Sequence, residues 1–192
     1  MGLDELTASA RAAWIFGLPL IEIAAIRARG QAAGAQMNVF THMQDLADHR
    51  ARMGTTPNND TLYSFAHVDL SHGPATITLP SSGDRYLSLA LIDAYTNNFA
   101  ILGTRTTGAN GVTFTLVGPN DAAEEGSIVR SPTRHVCAFA RTLVAGPHDL
   151  EAAREVMHGV AMWAPAVEAL SPMRSARCRL AGVFRQRGAA HG

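Results

Sequence analysis

Two short polar runs carry much of the chemical capacity of this 192-residue chain. Asn58-Asn59-Asp60-Thr61 sets short polar side chains in a row, too polar to pack a core. Such residues close turns, bond to nearby backbone, or face a ligand. Asp60 is therefore either an Asx-turn residue launching a strand, or a base or ligand anchor where loops converge, with Asn59 beside it. Asp93-Ala94-Tyr95-Thr96-Asn97 repeats the theme directly after the apolar run Leu87-Ser88-Leu89-Ala90-Leu91-Ile92. A carboxylate leaving such a run needs a partner, because burying it alone is costly. Arg105, Arg130 and Arg141 are its expected partners. The structural alternative is an Arg–Asp network that holds loops together. The functional one makes Arg105 an anion clamp, its planar fork matching a carboxylate or phosphate.

Tyr63, Tyr86 and Tyr95 are the only tyrosines. Each offers an apolar body and one polar handle, which suits a pocket wall as well as ordinary packing. Tyr63 shares a strand face with Phe65 and His67 by the two-residue alternation. His42 and His49 lie seven apart, a weaker metal spacing than four on a helix, and no metal is expected. Neither Gly-x-Ser-x-Gly nor a Cys–His signature is present. Cys137, between Val136 and Ala138, reads as a small hydrophobe, and Cys178 sits among arginines in the C-terminal tail.

These residues need elements to position them. Leu6, Ala10, Ala13, Trp14, Gly17, Ile21 and Ala25 make a helical stripe, with Asp4 or Thr7 as cap. Pro19 within it predicts a kink or two helices, and Gly30 and Gly34 stop the pattern. A shorter helix is expected from about Thr41 to His49. After the turn-forming cluster Met53 to Asp60 come seven short β-rich runs: Thr61 to Leu70, Ala75 to Leu79, Arg85 to Ile92, Asn97 to Leu102, Val112 to Val117, Ser127 to Arg130 and Val136 to Val144. Runs this close leave no room for crossover helices. The expectation is α+β: N-terminal helices (1–50) packed on an antiparallel β-sandwich or partial barrel (60–145), then a C-terminal helix (148–164) ended by Pro165.

Composition excludes several classes. Sixteen Lys+Arg balance sixteen Asp+Glu, against a nucleic-acid protein as a whole. Every cation is Arg, which removes Schiff-base chemistry and the Lys-containing phosphate loop. Two cysteines make neither a disulfide scaffold nor a four-Cys zinc site. Residues 1–170 read as one domain, and 171–192, with five Arg and no acid, as a loosely ordered basic tail. The longest apolar candidate, Trp14 to Ile26, is interrupted by Pro19 and Glu22 and lacks a basic start and a cleavage site. No membrane span or signal peptide is expected, and the cytoplasm is the default location.

The run Pro57-Asn58-Asn59-Asp60-Thr61-Leu62-Tyr63-Ser64, with Val68-Asp69-Leu70, Gly73-Pro74 and Tyr86, resembles the signature of a bacterial family known as domain of unknown function 1254. Leu91-Ile92-Asp93-Ala94-Tyr95-Thr96-Asn97, Gly103-Thr104-Arg105-Thr106-Thr107-Gly108, Ile128 to Thr133 and Ala140-Arg141-Thr142 extend it, and Phe16-Gly17-Leu18-Pro19-Leu20 matches its helical pattern. The resemblance covers about residues 10 to 165. It implies N-terminal helices against a sandwich-like body, and no agreed reaction. Many relatives carry a second domain, of unknown function 1214, so the chain resembles a stand-alone first domain.

Two functions follow as expectations. One is binding of a small polar or anionic ligand without a cofactor, where any enzymatic step would be hydrolase or lyase chemistry rather than redox. Asp60 and Asp93 would then act as acid and base, and Asn59, Tyr63, Tyr86, Asn97 and Arg105 would bind the ligand. The other is a non-catalytic assembly module pairing with itself or with a companion second-domain protein, through an apolar patch of Met157, Val160, Met162, Trp163 and Val167. A pocket joining Asp60, Asp93 and Arg105 favours the first; their dispersal favours the second.

Overall fold

Along Thr61–Asp69, Leu62, Ser64, Ala66 and Val68 alternate with Tyr63, Phe65, His67 and Asp69, a period of two that presents two different faces. The computed structural model, which describes residues 2–49, 58–122 and 126–165, makes this run the strand β2 (Thr61–Asp69). Before it come the helix α1 (Leu3–Ala32) and a two-residue strand β1 (Thr41–His42). After it come β3 (Ala75–Leu79), β4 (Leu87–Ile92), β5 (Asn98–Gly103), β6 (Val112–Val117), β7 (Ile128–Arg130) and β8 (His135–Leu143). A 3-10 turn (Pro147–Asp149) leads into α2 (Leu150–His158), and β9 (Ala161–Trp163) follows.

Two sheets form an open α+β sandwich rather than a closed barrel, with strand orders β1-β2-β8-β4-β5 and β7-β6-β3-β9. Every pairing is antiparallel except β6 with β7, which is parallel. The inner faces meet in one core: Ala66 and Val68 of β2, Leu89 and Leu91 of β4, and Ile77 and Phe114 from the other sheet. A smaller cluster of Leu62, Val144, Ala153 and Met157 seats α2 against one end of β2 and β8. Gly103, at φ +135°, closes β5 so near the Leu87 carbonyl and Ser88 Cα that any Cβ there would collide.

The seven expected strands are present to within two residues at each end, but the helices differ. α1 runs unbroken through Pro19 and Gly30. Proline forfeits one hydrogen bond, and on a helix with no buried residue water can take the freed carbonyl. Gly34, at φ +97°, follows its end. As one helix, α1 is long and apolar enough, by length and composition, to cross a bilayer; breaking it at Pro19 hides this in the sequence.

The helix expected over 41–49 is instead β1, with Thr41 opposite Phe65 and His42 opposite Ser64. An open strand edge supplies backbone partners that outweigh the local helical pattern. The C-terminal helix stops at His158, and Ala161–Trp163 pairs with the free edge of β3. Met157 and Val160 are therefore buried in their own chain, while Trp163 is 70% exposed. Val167 and the basic segment 171–192 lie outside the described residues.

One ion pair holds the α2 connection to the sandwich. Arg85 donates to both Asp149 oxygens (2.5 and 2.6 Å) and to the Leu143 carbonyl (2.6 Å), and Ala145 N donates to Asp149 (2.7 Å). The hydrogen bonds from Arg85 and then from Ala145 hold the Asp149 carboxyl well below the usual carboxylate range. A depressed folded-state pKa gives stability that is present above the unfolded value of about 3.9 and is lost as pH falls through the folded value. Asp149→Asn should therefore lower the melting temperature at pH 7. The gap to wild type should narrow in thermal melts run progressively below about pH 4. A gap constant with pH would refute the assignment.

Candidate functional site

Register decides which candidate residues meet. Thr61 lies opposite Leu143 and Ile92 opposite Cys137, so Asp60 and Asp93 flank opposite ends of the five-stranded sheet. The six steps of β8 between those partners span about 20 Å at ~3.3 Å per residue. Asp60, Asn59, Tyr86 and Arg105 belong to one end; Asp93 and Asn97 belong to the other. The sequence expectation of a single pocket joining Asp60, Asp93 and Arg105 is corrected by this topology.

At the first end, Asn58 Oδ1 accepts from Asp60 N (2.7 Å), so Asn58 closes the Asx turn and the Asp60 side chain is exposed. Tyr63 is nearly buried, and its hydroxyl accepts from Asn58 N (2.8 Å), a loop anchor rather than a pocket wall. Asn59 is exposed. The exposed Arg105 guanidinium stacks 5.0 Å from the ring centroid of the half-buried Tyr86 in a cation–π pair.

At the other end, Asp93 is only 5% exposed, yet none of the three expected arginines reaches it. Its Oδ1 accepts from Tyr95 N and Asn97 N (2.8 Å each), and Asn97 Nδ2 reaches Oδ2 (3.1 Å). Backbone amides do the work assigned to a guanidinium, because the chain turns at once and Thr96 adopts φ +68°. Arg130 instead donates to the carbonyls of Gly118 and Asp121 (2.9 Å each), and Arg141 lies over the Phe139 and Tyr63 rings. Asp93 and Asn97 are thus loop-closing residues in this structure.

A different cluster forms where α1 crosses the outer face of the five-stranded sheet. His67 pairs across the strands with Cys137, and Asp69 with His135. Ile23 and Arg27 of α1 meet His67, Asp93, His135 and Cys137 around a shallow cleft of about 10 Å³, room for about one water molecule. Phe16 touches the Tyr95 ring nearby (5.2 Å). His67 is 7% exposed. His135 Nδ1 is buried without a hydrogen bond, 3.8 Å from Asp69 Oδ1.

Burial, reinforced by the Arg27 charge, holds His67 below the ordinary histidine range. Burial and Arg27 also lower His135, with Asp69 partly offsetting them. Burial opposes the Asp69 carboxylate, but the Ser71 hydrogen bonds and the neighbouring His135 and His72 leave it below its usual range. Burial pushes the Cys137 thiol up to about 11, which leaves it a poor nucleophile. The sequence could announce His67 and Cys137 only through parity along their strands; Arg27 gave no local signal.

Two aligned antiparallel-dominated layers with helices at the chain ends define the class of fold, and the residues that carry it match a known family. The chain belongs to the family described as protein of unknown function (DUF1254), whose model covers residues 37–163. The fold is similar to that of the VPA0106 protein from Vibrio parahaemolyticus, with 20% identity over 83% of this chain and 41% of that one, at a TM-score of 0.68. An uncharacterised protein from Burkholderia cenocepacia aligns at 17% identity over 90% of this chain and 46% of its own, with a TM-score of 0.47. The chain thus spans less than half the length of either. No curated protein matches the sequence.

Removing the Asp93 carboxylate should expose its role. Asp93→Ala orphans two backbone amides in a buried turn, at a cost of about 1–3 kcal/mol. Asp93→Asn keeps an acceptor oxygen and should lose less than half of that. Urea midpoints at unchanged m-value measure both, and equal losses in the two variants would contradict the amide-clamp role.

Proposed function

We propose that this domain is a non-catalytic assembly module that pairs with a second copy of itself through α1 and the free β5 edge of its five-stranded sheet. The carrying observation is α1 itself: 30 residues, none buried, with Trp14 62% exposed and Ile15, Phe16, Ile21 and Ile26 also open. A helix apolar on all sides is normally covered by protein or lipid. Acid–base catalysis by Asp60 and Asp93 loses its support, since the two flank opposite ends of the sheet.

Protein suits α1 better than lipid. It is already seated on the sheet through Phe16, Ile23 and Arg27, and Glu22 interrupts the apolar stretch. A carboxylate near a bilayer centre costs about 2.5–3.5 kcal/mol on insertion scales. The proposal accordingly keeps the protein in the cytoplasm, in line with the sequence expectation.

A second copy is the occupant because one chain offers both halves of the contact. The free side of α1 can land on the open apolar sheet edge that carries Ile101, and a two-fold axis repeats the exchange. A 30-residue helix is ~45 Å long and ~10 Å across, so one helix side plus one receiving face is about 900 Å² per partner, near the ~800 Å² of stable interfaces.

Sedimentation equilibrium at micromolar concentration should give about twice the 20.4 kDa of the chain. Trp14→Glu with Ile15→Glu should return it to the monomer, with the circular dichroism and urea midpoint unchanged. A monomeric wild type would overturn the reading in favour of a companion domain, for which the longer relatives have chain to spare.

A further inference from the structure

Two charges sit on surface that is otherwise apolar. Glu22 is exposed within the apolar stretch of α1, and Arg141 is exposed on the outer face of the five-stranded sheet. Among the described residues neither belongs to an ion pair. The Arg141 guanidinium lies instead 5.3 Å from the Phe139 ring centroid and 6.0 Å from that of Tyr63. A guanidinium laid on aromatic rings keeps its N–H edges open, and little of its freedom remains to be lost when it takes a carboxylate.

Register extends an apolar surface inward from the β5 edge. Thr41, Phe65, Phe139, Ala90 and Ile101 are partners in turn across β1, β2, β8, β4 and β5, one unbroken row. They share the outer face, since Ala66, Ala138, Leu89 and Leu102 beside them point into the core. Phe65, Phe139 and Ala90 are half-buried and Ile101 is 55% exposed. α1 of the same chain covers the next row along, at His67 and Cys137.

We propose that Glu22 of each copy pairs with Arg141 of the other, and that this pair sets the register of the assembly on whose existence the inference rests. Phe16, Ile23 and Arg27 mark the side of α1 turned to its own sheet. At about 100° per residue, Trp14, Leu18, Ile21 and Glu22 lie roughly 120–160° round from that side. Ile15 and Glu22 share one flank of the helix, two turns and ~10.5 Å apart. Ile101 and Phe139 are two strand spacings apart, about 9.6 Å. Ile15 set on the partner's Ile101 therefore brings Glu22 to the partner's Phe139, where the partner's Arg141 guanidinium lies.

A two-fold axis running across the strands permits this, because each α1 residue then meets the same strand in the partner as in its own chain. Phe16 sits at the turn between β4 and β5, and Ile23 at β8. Covering α1 also strips water from Glu22, which is costly for a lone carboxylate and offset by a charge-assisted pair. A helix slipped by one turn would leave both charges covered and unpaired, so the pair selects one register.

Charge reversal tests the contact by sedimentation equilibrium of the intact chain. Glu22→Arg and Arg141→Glu should each weaken the dimer at least ten-fold. Mixed in equal amounts, the two variants should form a heterodimer within three-fold of wild-type strength, because both contacts between them again join opposite charges. Both positions are exposed, so each variant should keep the urea midpoint of the monomeric Trp14→Glu with Ile15→Glu chain. A dimer undiminished by either reversal would overturn this pairing and leave the assembly reading standing, as would weakened variants that fail to recover on mixing. A monomeric wild type would overturn both.

Discussion

The nine-residue antiparallel ladder between β2 and β8 is the constraint on which the rest depends. It pairs Thr61 with Leu143 at one end and Asp69 with His135 at the other, with no break. Because side chains alternate, this register sends Ala66, Val68, Val136, Ala138 and Ala140 into the core. The same register stands His67, Cys137, Asp69 and His135 together on the outer face. A slip of one residue would bury the second set and expose the first. Core and cleft are therefore two sides of a single pairing, and neither can be altered in register without the other.

The polar motifs that look most chemical in the sequence are spent on the ends of this ladder. Asn58 closes the turn before β2, Tyr63 reaches back to hold it, and Asp93 gathers the amides of the turn after β4. Ala94 N donates to Thr133 Oγ1, which in turn donates to the His135 carbonyl, tying the Asp93 turn to the start of β8. Tight turns leave backbone N–H groups without strand partners, and short acceptor side chains satisfy them. A carboxylate that accepts several such bonds has its lone pairs committed, so it is not poised to take a substrate proton. Polar residues concentrated at strand ends are thus evidence of turn closure before they are evidence of catalysis.

What was legible in the sequence follows from locality. Two-residue alternation and Gly/Pro/Asn turns lie within one strand or loop, and they place β3 and β6 to the residue. β1 and β9 escaped, since two or three residues acquire strand geometry only from the free edges of β2 and β3. Pro19 predicts a kink or two helices because the rule assumes a helix whose carbonyls have nowhere else to turn. Asp93 was rightly expected to be buried and partnered, but the partner was four residues away in backbone rather than in a distant guanidinium. The His67 cleft needed long-range register plus a helix forty residues upstream, and no local pattern encodes either.

α1 joins these threads, because its stability and the cleft have the same origin. A lone helix is marginal in water below about 12–15 residues and draws most of its stability in proteins from an apolar face packed on something. Here Phe16 on Tyr95, and Ile23 and Arg27 over the outer sheet, are the contacts that keep α1 on its own chain. They are few for 30 residues with none buried, so most of what could stabilise α1 lies on the face that the proposed pairing would cover.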